Sequence, residues 1–166
     1  PRVTAAGGPV GESPLVTVPN VLATRYAVAA FIAGVSGAKR AAAFYTDLLA
    51  DEDESLVAVV DDAVRAGVSA GPYAGGDFVT FGEGALAAAF DFAHLLTFHP
   101  KDASPAAIGH LQAAGWSDDD IVTLGQLVSF LAFQLRVAHG LSVLAGSAPS
   151  APETTNPRPE QTPEWE

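Results

Sequence analysis

The sequence predicts an all-α protein, a single-domain bundle of about five to six helices. Alanine is the commonest residue in an apolar fraction of 49%, and alanine has the highest helix propensity. Apolar residues recur at helical spacing in several segments, whereas β-branched and aromatic residues do not form short alternating runs. A chain of 166 residues suits one domain with a substantial core better than two.

Proline and glycine mark the two ends of the predicted domain. Residues 1–20 contain both without helical periodicity, which indicates an N-terminal arm. Residues 147–166 contain five prolines, which favour an extended tail over a packed helix. We therefore expect the helical domain to occupy residues 21–146.

The first half of this domain predicts three helices. Residues 22–35 are apolar almost all round, with Arg25 as the only charge, which is typical of a buried helix. A second helix, 38–49, follows the break at Ser36 and Gly37. Residues 54–66 carry an apolar stripe at helical spacing, and Gly67 is the expected end of that helix.

The second half predicts three more helices after a glycine-rich loop at residues 67–84. Residues 85–98 form one, and Ser104 with Pro105 begins another that runs to Ala114, with Gly115 as its C-cap. Ser117 begins the last, since Ser117 and Asp120 have capping-box spacing. Its expected core stripe is Ile121, Leu124, Val128, Leu131 and Leu135, and a second stripe carries Gln126, Ser129 and Arg136.

Charge and cysteine content exclude several classes of function. The chain has 8 basic and 19 acidic residues, so its formal charge of −11 disfavours nucleic acid and anionic membranes as partners. It has no cysteine, which excludes disulfides and thiol catalysis. The longest apolar run, 121–133, is interrupted and shorter than a bilayer span, and no signal-peptide pattern opens the sequence. We expect a cytoplasmic protein that does not bind membranes.

Two segments together resemble the carboxymuconolactone decarboxylase family, whose peroxidase branch is the alkylhydroperoxidase-D-like proteins. The first is RYAVAAFIAGVSGAKRAAAFYTDLL, beginning at Arg25. The second begins with GWSDDDIV and ends with QLRVAHGL, and is the more specific. The resemblance covers roughly residues 22–144. It implies a helical fold of that family and assembly into dimers, trimers or hexamers.

The resemblance also implies which chemistry has been lost. The peroxidase branch has a Cys-x-x-Cys pair after a small-residue turn, and Ala38 and Ala41 stand at those positions here. Tyr45 stands where that branch has a histidine, and Tyr26 where it has a glutamate. Two alanines can neither attack a peroxide nor resolve a sulfenic acid. We therefore expect no thiol peroxidase activity from this chain.

The decarboxylase branch uses acid–base chemistry, which needs a titratable group near the substrate. Tyr45 and His139 are the candidates for proton transfer. All four histidines, His94, His99, His110 and His139, are nevertheless more readily explained as structural. Arg25, Arg40 and Arg136 are candidates to hold an anionic ligand, with Tyr26 and Gln126 beside them. Arg25 and Arg136 lie in apolar helices, so each needs a partner. That partner is either a small carboxylate ligand or an ion pair, buried or between subunits, for which Asp47 and Asp91 are the candidates.

Three functions therefore remain open. The chain is a non-redox oligomeric or partner-binding module, an acid–base enzyme acting on a small lactone or carboxylic acid, or a non-catalytic companion of a cysteine-bearing peroxidase of the same family. The sequence shows no phosphate-binding glycine motif and no metal-ligand constellation, so we expect neither a cofactor nor a metal.

Overall fold

The computed structural model describes residues 21–70 and 84–146, with side chains at 21–67 and 84–146. The described residues form six α-helices and one 3₁₀ turn, so the chain is all-α as predicted. The helices are α1 Val21–Val35, α2 Lys39–Asp53, α3 Ser55–Ala70, α4 Ala85–Phe98, α5 Pro105–Ala113 and α6 Asp118–Leu144, and the 3₁₀ turn is Pro100–Asp102. The predicted arm, most of the glycine-rich loop and the tail lie outside the described residues.

Helix α1 is the centre of the bundle and packs against α2, α3, α4 and α6. Its buried residues include most of the segment from Ala23 to Ala33, as expected for a helix that is apolar all round. The rings of Phe31 on α1 and Phe90 on α4 stack with their centroids 4.7 Å apart. Gly34 lies against α3, where an added Cβ would come within 2.7 Å of a Val64 methyl group.

The turn between α1 and α2 has the hydrogen bonds of a Schellman motif. Gly37 has a φ of +69°, and the Ala38 amide donates to the Ala33 carbonyl at 2.9 Å. Glycine suits this left-handed position because a side chain there would be strained. The predicted break at Ser36 and Gly37 is therefore present, and it aims α2 back across α1.

Helix α3 does not end where the sequence predicted. Gly67 was the expected end, but α3 continues to Ala70. Gly67 is buried, and its carbonyl accepts a hydrogen bond from His94 on α4. This glycine therefore lies at a helix contact and does not terminate α3.

Helix α6 begins as predicted and is 27 residues long. The Ser117 hydroxyl accepts a hydrogen bond from the Asp120 amide at 3.2 Å and donates to the Asp120 carboxylate at 2.6 Å. The predicted core stripe packs inward, with Leu135 partly buried and the others buried. By length and composition alone, α6 could cross a membrane, and only 22% of its most apolar window is buried inside the bundle. The absence of a membrane partner therefore stays a prediction.

Candidate functional site

The two positions that the resemblance aligns with a cysteine pair lie at the start of α2, directly after the Gly37 turn. Ala38 precedes the first residue of α2 and Ala41 lies in its first turn, and both are half-buried. Tyr26 is half-buried on α1 and packs against the core. The turn and its two alanines therefore form a helix junction that offers no reactive side chain.

Tyr45 contacts a residue that the sequence did not suggest. Its hydroxyl donates a hydrogen bond to Gln134 Oε1 on α6 at 3.2 Å, and its ring meets Phe44 edge-on with centroids 5.2 Å apart. No sequence signal indicates this pairing, because Tyr45 and Gln134 are 89 positions apart in the chain. Tyr45 therefore links α2 to the second half of α6.

The three candidate arginines are exposed, so the expectation of a buried ion pair at Arg25 or Arg136 was wrong. Arg25 lies near the start of α1 on an exposed side of the helix, although the neighbouring Ala23 and Thr24 are buried. Arg136 lies in the half of α6 that extends beyond the core. Arg40 is exposed on α2. Among the described residues, none of the three has a carboxylate within ion-pair distance.

The other two candidates on α6, Gln126 and His139, are also exposed. Thirteen residues separate them, which corresponds to about 20 Å along a helix. They therefore cannot line one small pocket. Tyr45 packs against the core and donates a hydrogen bond to α6, and none of these contacts joins it to a predicted ligand-binding residue among those that the structure describes.

The buried carboxylate of Asp91 on α4 pairs with a histidine and not with one of the candidate arginines. The Asp91 side chain is 1% exposed, and its Oδ2 lies 3.0 Å from His110 Nε2 on α5. The His110 side chain is 48% exposed, so one face of the imidazole reaches solvent. The only sequence signal for this pair was Asp91 itself, a single aspartate inside the apolar segment 85–98. The sequence had suggested Arg25 and Arg136 as its partners.

Two further histidines lie at the end of α4. His94 is buried, and desolvation lowers its pKa below the usual value, opposed by its hydrogen bond to the Gly67 backbone and assisted by the nearby His99. The His94 and His99 ring centroids are 6.4 Å apart. His99 Nδ1 lies 3.8 Å from Asp102 Oδ2. A neutral His94 therefore fills core space, as the structural interpretation of the histidines expected.

The largest feature that the sequence reasoning missed is an exposed apolar face on α6. It consists of six side chains that are 42–85% exposed: Val122, Phe130, Phe133, Val137, Leu141 and Leu144. At about 100° per residue they fall within roughly 100° of arc, opposite the core stripe. We call this the outer face of α6. The spacing of these residues was visible in the sequence, but that side of α6 was interpreted as a polar stripe because it also contains Gln126 and Ser129.

Within the described residues, no group of three or more histidine, aspartate or glutamate side chains could hold a metal ion. Comparison of the chain with protein-family models, curated proteins and solved structures found no match.

Proposed function

We propose that this chain is a non-redox helical module that works by binding another protein chain through the outer face of α6. The exposure of six large apolar side chains on one side of a single helix is the observation that supports it most strongly. The family resemblance supports it as well, because it implies a relative of the carboxymuconolactone decarboxylase and alkylhydroperoxidase-D-like proteins in which the cysteines are replaced.

The size of the outer face supports a protein contact. Weighting the full side-chain areas of the six residues by their exposed fractions gives on the order of 600 Å² of apolar surface. Soluble monomers rarely expose a contiguous apolar patch larger than a few hundred Å², and larger patches mark interaction sites. Between Ile121 and Leu144 the only charged side chain is Arg136, so the strong acidic charge of the chain does not oppose contact there.

The proposal can be tested by site-specific photo-cross-linking in the cells that express the full chain naturally. A benzophenone amino acid replaces Phe133 on the outer face, and the matched control replaces Val59, which is also exposed but lies on α3. Irradiation should give a discrete protein adduct at 133 and none at 59. Equal adduct yields at the two positions, or none at 133, would refute the proposal.

The replaced cysteines give a second test of the same proposal. With a thiol reductant and a hydroperoxide, the purified chain should consume peroxide no faster than buffer, because a thiolate is required for the first step. Turnover at an enzymatic rate would require a mechanism that this chain's residues do not suggest, and it would contradict a non-redox role.

A second candidate function is acid–base catalysis on a small lactone or carboxylic acid, and the Asp91–His110 pair is the observation that favours it. A carboxylate that accepts a hydrogen bond from Nε2 leaves Nδ1 of a neutral imidazole free to take a proton. This moves the candidate base from Tyr45 and His139 to His110. A pH-stat assay with simple lactones tests it: His110→Gln should lower any turnover at least about tenfold, whereas His139→Gln should leave it unchanged.

The role of companion to a cysteine-bearing family member is a special case of the first proposal. The same outer face would then contact that enzyme. Mass spectrometry of the adduct at position 133 distinguishes this case, because the cross-linked peptides would include the cysteine pair of the partner.

A further inference from the structure

The outer face of α6 has the size and the pattern of residues that suit pairing with a copy of itself. Its six apolar side chains extend from Val122 to Leu144, about 33 Å along the helix. Two such faces would bury on the order of 1,200 Å² together, the lower limit for specific, stable protein interfaces. One copy alone can therefore cover most of the face.

We infer that two copies of this chain pair through α6 in antiparallel orientation, about a two-fold axis that passes midway between Phe130 and Phe133. This inference rests on the proposed protein-binding role of the outer face and names the partner.

The order of side chains along α6 supports this alignment. With the axis at that point, Phe130 of each copy lies level with Phe133 of the other, which places the two largest exposed pairs at the centre. Val122 of one copy then lies level with Leu141 of the other, and Gln126 with Val137. A closed two-fold contact requires such a self-complementary surface.

Charge selects the antiparallel arrangement over the parallel one. Asp118, Asp119 and Asp120 lie together in the first turn of α6. A parallel pair would bring six carboxylates to one end, within the distance at which exposed charges repel at physiological salt. An antiparallel pair places the two acidic turns at opposite ends and also opposes the two helix dipoles.

A bilayer is the other environment that could cover an apolar helix face, and the structure favours it less. The opposite side of α6 is already occupied, because Ile121, Leu124, Val128 and Leu131 are buried in the bundle. The formal charge of −11 also repels anionic lipid surfaces.

Sedimentation equilibrium of the full chain at about 1 to 100 µM tests whether it pairs. We expect twice the 16.9 kDa mass of one chain at the upper end of that range. Phe133→Glu should weaken the pairing at least about a hundredfold, because it places a charge at the apolar centre. Val59→Glu on α3 is the control and should leave the mass unchanged. A monomeric wild-type chain would overturn the inference, and flotation of that monomer with phosphatidylcholine vesicles would assign the face to lipid.

Single cysteines test the orientation, because the chain has none of its own. Mixing Gln126→Cys with Val137→Cys should give a disulfide between the two variants under mild oxidation. Each variant alone should not cross-link, since identical positions would be about 16 Å apart, beyond disulfide reach. Efficient cross-linking of each variant with itself would show a parallel pair and overturn the antiparallel arrangement.

These outcomes also separate the inference from the proposed function. A monomeric chain that still gives a specific adduct with a different protein at position 133 would overturn self-pairing and leave the protein-binding role standing. A monomeric chain with no adduct at position 133 would refute both.

Discussion

Replacing His110 by alanine tests how the bundle tolerates a carboxylate in its core. The variant removes the imidazole from Asp91, whose side chain is 1% exposed and lies 3.0 Å from His110 Nε2. A hydrogen bond to a charged group contributes about 1.5–3 kcal/mol, and breaking a fully buried ion pair costs about 3–5 kcal/mol. Because His110 is itself 48% exposed, water can reach the vacated position in part, so the lower range applies.

We therefore expect His110→Ala to lower the free energy of unfolding by about 2 kcal/mol. For a domain of this size that corresponds to a decrease in Tm of roughly 4–8 °C. Urea unfolding followed by circular dichroism measures the free energy, and His139→Ala, on an exposed histidine, should change it by less than about 0.5 kcal/mol.

A double-mutant cycle with Asp91→Asn separates the pair from the general effect of truncating His110. The coupling energy between the two sites should be at least about 1 kcal/mol. If His110→Ala unfolds at the wild-type urea concentration, the carboxylate does not depend on this imidazole, and the reasoning about the α4–α5 contact is refuted.

Three further predictions concern stability. Ser117→Ala removes the side-chain cap of α6 and should cost about 1 kcal/mol in urea unfolding; no change would show that the cap does not contribute. Gly125→Ala should raise the free energy of unfolding by about 0.5–1 kcal/mol, because an added Cβ meets nothing within 4 Å. Gly34→Ala should lower it, because the added Cβ would come within 2.7 Å of Val64. A change of the same sign for both variants would contradict the packing. The folded-state pKa of His94 is lowered from 6.5, so below about pH 6.5 the unfolded chain binds more protons and stability should fall by up to about 1.4 kcal/mol per pH unit. Urea unfolding at about pH 7.5 and pH 5.5 checks this: His94→Gln should reduce the loss, and an unchanged loss would assign it to other groups.

All six described helices could be predicted, and those ends that carry local signals were placed well, whereas α2 and α3 each continue four residues beyond their predicted ends. The predicted range 85–98 matches α4, and Ser117 begins α6 through hydrogen bonds within three residues of itself. Gly67 misled the prediction because its role depends on His94, a residue on another helix. A helix end that is decided by packing cannot be read from its own segment.

The candidate site was less predictable because it depends on which helices meet. Arg25 and Arg136 seemed to need partners on the basis of their apolar neighbours in sequence, but Arg25 lies on an exposed side of α1 and Arg136 lies in the part of α6 that extends beyond the core. The Asp91–His110 pair joins two helices whose relative placement the sequence does not encode locally. The outer face of α6 was present in the spacing, but only the structure shows that the bundle leaves it uncovered.

Position-resolved photo-cross-linking along α6, in the cells that express the full chain, tests most directly whether the outer face binds protein. The benzophenone amino acid is placed in turn at 130, 133 and 137, and at 59 on α3 as the control. We predict protein adducts at the three positions on the outer face and none at 59, with the mass of two copies of this chain if it pairs with itself. Adduct yields at the outer-face positions no higher than at 59 would contradict protein binding through the outer face of α6.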